Sequence, residues 1–125
     1  MGEIRKFETG ATRDTDTGKL DYEGFYSPLV MERFAQYMNK HRVQSDGSLR
    51  DSDNWQKGFG ENHCNVCFKS LYRHFIDAWF IHRGYKRFDK QRNEEITIDE
   101  ALCAILFNTM AYLFKILEGK YEKNI

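Results

Sequence analysis

The segment from about Asn65 to His82 has two chemically different sides and constrains the fold more than any other part of the chain. An ideal helix advances about 100° per residue. One side of such a helix would therefore gather the large apolar residues Phe68, Leu71, Tyr72, Phe75, Ile76 and Trp79. The opposite side would carry Ser70, Arg73, His74 and Asp77. The pattern predicts a helix with an apolar side, and its other side has a cation for phosphate and an Asp and a His that could hold a metal.

The residues before this helix divide into a loop and a second helix. Residues 1–24 are rich in Gly, Thr and Asp without helical or strand periodicity, which predicts a loop arm. Ser27 and Pro28 then indicate the start of a helix over residues 27–42, because serine caps a helix and the missing N–H of proline costs nothing at the first position. The polar residues 44–60 are predicted to be a connection, with Asp46-Gly47 as its turn.

The third predicted helix covers residues 97–118, after a charged loop over residues 86–95. It begins with a capping box in which Glu100 can reach back to the Thr97 backbone N–H. The helix is apolar nearly all round, which is typical of a central core helix or a membrane span. It lacks the roughly 20 uninterrupted apolar residues of a span, since Asn108-Thr109 interrupts it. We therefore predict an all-α fold, a small bundle of three main helices (27–42, 65–83 and 97–118) in one domain of 125 residues.

Composition limits the classes of partner and the compartment. The 19 acidic and 19 basic residues cancel, so the chain as a whole has no net charge to attract a nucleic-acid polymer or a membrane surface. Three cysteines without a secreted-scaffold pattern favour a reducing compartment. The N-terminus lacks the apolar stretch of a signal peptide. We expect a cytoplasmic protein, and the very apolar last helix favours a homodimer or homotetramer.

The polar groups on the two long helices have structural explanations as well as functional ones. Glu100 and Asn108 share a face of the last helix with two alanines, which would leave room for a flat ligand, or would simply allow close packing around a satisfied amide. Arg73 and Asp77 could form an ordinary i, i+4 ion pair while His74 binds a neighbouring carbonyl. Sequence spacing leaves both alternatives open.

Two further motifs are incomplete. Residues His63, Cys64 and Cys67 resemble part of a zinc site, but structural zinc needs four ligands, so Cys103 or His74 would have to complete the set. The stretch from Gly10 to Lys19 has the wrong spacing for a phosphate-binding P-loop. Its side chains Arg13 and Lys19 can still contact phosphates.

Several blocks in this order resemble the phage-associated dATP/dGTP diphosphohydrolase N-terminal family, which is similar to MazG-type all-α nucleoside triphosphate pyrophosphohydrolases. The resemblance covers about residues 8–118 and rests on Gly10-Ala11-x-Arg13, Gly18-Lys19-Leu20-Asp21, Ser27-Pro28, Arg50-Asp51-Ser52-Asp53-Asn54-Trp55-Gln56-Lys57-Gly58, Lys69-Ser70, Arg73-His74, Asp77, His82-Arg83-Gly84 and Ala101-Leu102-Cys103-Ala104. It implies a MazG-like helical homo-oligomer, of phage or prophage origin, in the bacterial cytoplasm. The implied reaction cuts a (deoxy)nucleoside triphosphate, such as dATP or dGTP, to the monophosphate and pyrophosphate.

The resemblance also implies roles for individual residues. Mg²⁺ or Mn²⁺ would be held by Asp77 and Glu100, with His74 and Asp99 as further candidates, and Asp77, Glu100 and His74 would form the catalytic set. The phosphates would be bound by Arg13, Lys19, Lys57 and Arg73. The base pocket would be shaped by Asn54 and Trp55 and lined by Asn108.

The sequence departs from MazG-type enzymes in its acidic residues. Those enzymes carry E-x-x-E on one helix and E-x-x-D on the next, whereas this chain has His74-x-x-Asp77 and then Asp99-Glu100 followed by Ala and Cys. Fewer carboxylates weaken metal binding. Two hypotheses therefore stay open: a metal-dependent pyrophosphohydrolase, and a non-catalytic protein that captures a nucleotide or a host defence signal.

Overall fold

The secondary structure consists of long helices joined by short strands and turns. The computed structural model describes residues 3–124, which form two compact units, one of residues up to Met31 and one from Glu32 onward. The helices are α1 (Tyr22–Phe25), α2 (Pro28–Lys40), α3 (His63–His82) and α4 (Ile98–Glu118), with a 3₁₀ turn at Asn54–Lys57. The strands are β1 (Ile4–Lys6), β2 (Thr12–Asp14), β3 (Phe88–Asp89) and β4 (Glu94–Glu95). The prediction of a helical protein is confirmed, with each of the three main helices within two residues of its expected bounds.

The first unit contains a small hairpin where the sequence indicated only a loop. Strands β1 and β2 pair antiparallel, with Arg5 opposite Arg13. The Arg5 side chain donates to the Asp14 carbonyl over 2.8 Å and pairs with Asp16 at 3.3 Å. Three residues per strand are too few for a visible period of two, which is why the pattern did not predict them. Of the predicted loop arm, residues 1 and 2 lie outside the described residues.

Helices α3 and α4 form the centre of the second unit. They pack against each other, and His63 at the start of α3 bonds to the carbonyl of Ala111 in the C-terminal half of α4. Ala101, Ala104 and Ala111 are at most 3% exposed. Their small side chains let the two helices approach closely.

Helix α2 packs against α4 at Cys103, Ala104 and Phe107. Tyr37 is buried against Cys103 and Ala104, with Phe34, Met38 and Phe107 around them. Burial raises the pKa of Tyr37 to about 12. This cluster holds the C-terminal end of α2 beside the middle of α4.

The two polar connections of the second unit are more ordered than loops. Residues 43–49 turn at Asp46-Gly47 and close with a bridge between Val43 and Leu49. The predicted charged loop over residues 86–95 contains the antiparallel pair β3–β4. Its turn is held by Asp89, whose carboxylate accepts from the backbone N–H groups of Gln91 and Arg92. The hairpin is held by these local side-chain bonds. Its strands of two residues each are too short to give a periodic pattern in the sequence.

Helix α4 is apolar nearly all round, but only one of its sides is buried in the structure. Within residues 3–124 it is the one helix with the length and composition to cross a membrane, and 28% of its most apolar window is buried. Its buried side chains face α2 and α3, whereas Leu102, Leu106 and Leu113 are 54%, 40% and 50% exposed.

Candidate functional site

A single cavity in the second unit collects most of the polar groups that the sequence singled out. Its volume is about 800 Å³, and it lies between the end of α2, residues 50–59, α3, the β3–β4 hairpin and α4. Six of the predicted site residues line it: Asn54, Trp55, Arg73, His74, Asp77 and Asn108. The volume lies within the range of small-molecule sites. The cavity therefore brings together residues that are up to 54 positions apart in sequence.

The cavity wall is cationic. Arg42, Arg50, Arg73, Lys90 and Arg92 line it together with three acids, Asp51, Asp77 and Asp89. Of the five cations, Arg92 pairs with Asp89 at 3.2 Å. Within residues 3–124, the other four have no carboxylate within salt-bridge distance. An unneutralised group of this kind favours a ligand with several negative charges.

Two of these arginines are held in place by the backbone. The Arg42 Nε–H donates to the Arg50 carbonyl over 2.8 Å, and an Arg50 Nη1–H donates to the His41 carbonyl over 2.9 Å. These bonds orient both guanidinium groups without neutralising them. Each keeps further N–H donors for a planar, multiply charged acceptor such as phosphate.

On the polar face of α3, Asp77 is paired with a residue outside the helix rather than with Arg73. An i, i+4 pair between Arg73 and Asp77 does not form, because Asp77 bonds to Arg87 from beyond the helix, at 3.0 Å. The Arg87 guanidinium also lies 4.4 Å from the ring centroid of Phe80, which fixes its position. Asp77 is thus oriented by Arg87, and Arg73 stays available to a ligand.

His74 lies beside Asp77 on the same face. Its Nδ1 is 3.9 Å from Asp77 Oδ2, too long for a hydrogen bond. Burial lowers the pKa of His74, and the neighbouring Arg73 lowers it further, against the opposing effect of Asp77. The imidazole is therefore neutral near pH 7 and able to accept a proton.

His41 is a second histidine on the cavity wall, and the sequence did not point to it. Its ring packs on Tyr37, with centroids 4.2 Å apart, and its Nδ1 lies 3.3 Å from Arg92 Nη2. Since Arg92 can only donate, Nδ1 accepts and Nε2 carries the hydrogen. Burial lowers the pKa of His41, and Arg92 adds to that effect.

The predicted metal ligands are only partly brought together. Asp77 and His74 line the cavity, whereas Glu100 pairs with Lys40 at 3.0 Å and Asp99 with Arg33 at 2.6 Å. Glu100 also does not close the predicted capping box from its side chain; the bond present is from its backbone N–H to Thr97 Oγ1, over 3.3 Å. Within residues 3–124 no three His, Cys, Asp or Glu side chains form a metal-binding group.

These donors still fit a cation that arrives with a polyphosphate. Mg²⁺ is commonly held by one or two carboxylates together with substrate phosphates and water. Asp77 could supply such a carboxylate, and Asp89 lines the same cavity. The arrangement does not fit a resident cation held by Asp77, Glu100 and Asp99 together, because Glu100 and Asp99 do not line the cavity.

Asn108 supplies the most deeply buried polar group of the cavity. It is 5% exposed, and its Nδ2 donates to the Ala104 carbonyl over 2.9 Å. A carbonyl can only accept, so this bond fixes which end of the amide is the nitrogen. Within residues 3–124 no donor bonds to Asn108 Oδ1, which leaves an acceptor for a ligand.

Of the predicted site residues in the 3₁₀ turn, Asn54 and Trp55 line the cavity and Lys57 does not. The Trp55 ring packs edge-on against Phe114, at 5.0 Å between centroids, and against Phe107, at 6.3 Å. These contacts fix the 3₁₀ turn to α4 and place Asn54 at the cavity. Lys57, at the end of the same turn, is exposed and does not line the cavity.

The incomplete zinc motif is a structural hydrogen-bond centre. His63, 3% exposed, accepts at Nδ1 from the Phe59 N–H over 3.0 Å, so its Nε2 carries the hydrogen and donates to the Ala111 carbonyl over 2.9 Å. Gly58 has φ +84°, a backbone conformation that turns the chain so that Phe59 can reach this ring. Both ring nitrogens are occupied, so His63 has no lone pair left for zinc.

Several site residues were missed from the sequence because they lie outside the long helices. His41 and Arg42 follow the last turn of α2, Arg50 precedes the Asn54–Lys57 turn, and Lys90 and Arg92 lie in the hairpin. Charged residues in irregular segments are usually solvent-exposed, so these residue types did not indicate a binding site. Arg13 and Lys19 belong to the first unit, and their predicted phosphate contacts stay predictions.

Comparison with models of known protein families, with curated proteins and with solved structures finds no match to this chain.

The two cavity histidines predict how stability depends on pH. Both have a folded pKa below the ordinary 6.5, so the unfolded chain takes up their protons first as pH falls. Unfolding free energy should therefore decrease from about pH 6.5 downward and level off once the folded histidines are protonated. We expect this loss in thermal melts followed by circular dichroism between pH 8 and pH 5.

Paired substitution identifies the source of that pH dependence. The variant H41Q/H74Q should lose most of the change within this window, whereas H82Q, at the exposed end of α3, should behave as wild type. Equal pH profiles for wild type and H41Q/H74Q would contradict the assignment.

Proposed function

We propose that the cavity binds a (deoxy)nucleoside triphosphate and that the protein hydrolyses it to the monophosphate and pyrophosphate. The observation that carries the proposal is the group of four cations, Arg42, Arg50, Arg73 and Lys90, that meet at one cavity without acidic partners among residues 3–124. A triphosphate provides the matching charge. The resemblance to dATP/dGTP diphosphohydrolases gives the reaction type, purine deoxynucleotides as the first substrates to test, and the bacterial cytoplasm of a phage infection as the setting.

The apolar part of the same cavity supports a nucleotide over free polyphosphate. Tyr37, Trp55 and Phe107 contribute aromatic surface, on which a flat base gains contact area. Asn108 adds one unpaired acceptor at depth, which suits an amino or ring N–H group of a base. A ligand with a charged end and a flat polar end uses both parts of the wall.

The catalytic roles follow from protonation and charge. Mg²⁺ or Mn²⁺, held by Asp77 and the phosphates, would neutralise the triphosphate and orient water. His74, kept neutral by burial, can accept a proton at its ring nitrogen. Arg73 and Arg50 stabilise negative charge on the phosphoryl oxygens as it develops.

Product analysis tests this function. Each dNTP and NTP is incubated with the protein and Mg²⁺ or Mn²⁺, and the products are separated by ion-exchange chromatography. We expect monophosphate and pyrophosphate from at least one purine dNTP, with D77N lowering kcat by about 100-fold or more. The control E118Q, at the far end of α4, should keep the wild-type rate.

Recovery of every nucleotide intact with both metals would exclude the hydrolase.

A second function, capture of a nucleotide without cleavage, is favoured by the pairing of the acids: Asp77, Asp99 and Glu100 each bond to a basic side chain. Capture predicts metal-independent binding of an intact nucleotide, measured by calorimetry, that is unchanged in D77N. Loss of binding on metal removal would contradict it.

A further inference from the structure

The side of the α3–α4 pair opposite the cavity is a continuous apolar face, which we name the back face. On α3 it consists of Phe68, Tyr72, Phe75 and Trp79, each between 48% and 56% exposed. They are spaced four, three and four residues apart. The mean spacing of about 3.7 residues is close to the helical period of 3.6, so the four side chains form one apolar stripe along α3.

Helix α4 contributes a second row to the back face. Leu102, Leu106, Leu113 and Ile116 are between 40% and 54% exposed, and with Thr109 they follow the same spacing. The two rows belong to one surface, because the ring of Phe68 meets that of Tyr112 on α4 with centroids 6.1 Å apart. One row is aromatic and the other is mainly aliphatic.

The size of the back face matches a protein interface. Four half-exposed aromatic and four half-exposed aliphatic side chains present roughly 700 Å² per chain. Exposed apolar patches on monomers reach about 300–600 Å², whereas a stable interface covers about 800 Å² on each partner. Exposure of this surface to water in a lone chain would promote aggregation.

We propose that a second copy of the chain covers the back face, so that α3 and α4 of both copies form a four-helix bundle. A two-fold axis places the aromatic row of one copy on the aliphatic row of the other, and the same contact occurs twice. The bundle leaves the cavity of each copy on its outer side, since the cavity residues Arg73 and Asp77 lie on the opposite side of α3.

A lipid surface fits the same face less well than a second copy does. Helix α3 provides half of the back face, but within the same turns it carries Lys69, Arg73 and Asp77 around its circumference. A helix that spans lipid would have to pair or bury these charges, whereas a lipid surface that touches only the back face would leave them in water. The α4 row, including Thr109, has spacings of four, three, four and three residues, which is the pattern of a helix-bundle seam and favours helices as the partner.

Sedimentation equilibrium of the full chain tests the proposal. Wild type should sediment at twice the chain mass of 14.9 kDa. The variants F75E and L106E, one in each row, should sediment as monomers with unchanged helical circular dichroism. The control V66E adds the same charge to an exposed residue on another side of α3 and should stay dimeric.

A second measurement does not depend on the glutamate variants folding. In a W55F background Trp79 is the only tryptophan, and its emission should shift to the red when the protein is diluted through the dissociation range. A monomeric wild type, equal dissociation by V66E, or emission that is independent of concentration would overturn the proposal. So would a wild-type monomer that binds phosphatidylcholine–phosphatidylglycerol vesicles and loses this binding in F75E, since lipid would then be the occupant.

Discussion

Replacing Arg50 and Arg73 together by alanine should weaken nucleoside triphosphate binding by about 100-fold or more. A hydrogen bond to a charged group contributes roughly 1.5–3 kcal/mol, and about 1.4 kcal/mol is a factor of ten in affinity. Both side chains line the cavity, and neither has a carboxylate partner among residues 3–124. Their removal therefore takes away ligand contacts without leaving an acid of the protein unpaired.

Calorimetry with α,β-imido analogues of dATP and dGTP, which resist hydrolysis at that bond, measures this change directly. Single substitutions should cost about tenfold each, and wild-type affinity should fall as salt is added. The control R83A removes an exposed arginine from the end of α3 that does not line the cavity. Wild-type affinity in R50A/R73A would show that the triphosphate binds elsewhere.

Replacing His63 by alanine should lower the free energy of unfolding by about 3–5 kcal/mol, because two hydrogen bonds and a buried ring are lost together. The Phe59 N–H and the Ala111 carbonyl would lose their partner, and the ring of Phe59, stacked on His63 at 5.0 Å, would lose its packing. Total stabilities are about 5–15 kcal/mol, so this is a large part. Urea unfolding followed by circular dichroism measures it.

Two comparisons separate this structural role from zinc binding. H82A, at the exposed end of the same helix, should change the unfolding free energy by less than about 0.5 kcal/mol. A chelator should leave wild type unchanged, because both His63 nitrogens are bonded within the protein. Destabilisation of wild type by chelator, with stoichiometric zinc in the purified protein, would restore the zinc interpretation.

The helices could be predicted from the sequence because their signals are local. Apolar spacing indicated α2, α3 and α4, and Ser27 and Thr97 indicated two of their starts; both accept the expected backbone N–H in the structure, from Val30 and Glu100. The strands could not be predicted, since they are two or three residues long. Their pairing depends on turns such as that of Asp89 rather than on periodicity.

The candidate site was predictable only where it lies on a helix. Arg73, His74, Asp77 and Asn108 share helix faces, so spacing alone brought them to attention. Arg42, Arg50 and Lys90 come from three separate irregular segments, and no period connects them. Their common position at the cavity depends on how α2, the 50–59 segment and the hairpin pack around α3 and α4.

The sequence by itself determined that the chain is helical and which side of α3 is polar, because both follow from the order of neighbouring residues. Only the tertiary structure decided how each charge is used. Asp77 bonds to Arg87 rather than to Arg73, Glu100 bonds to Lys40, and four cations of the cavity have no acidic partner in the described part of the chain. Ion pairs form between groups that packing brings within a few ångströms, and sequence spacing fixes such distances only inside a single helix.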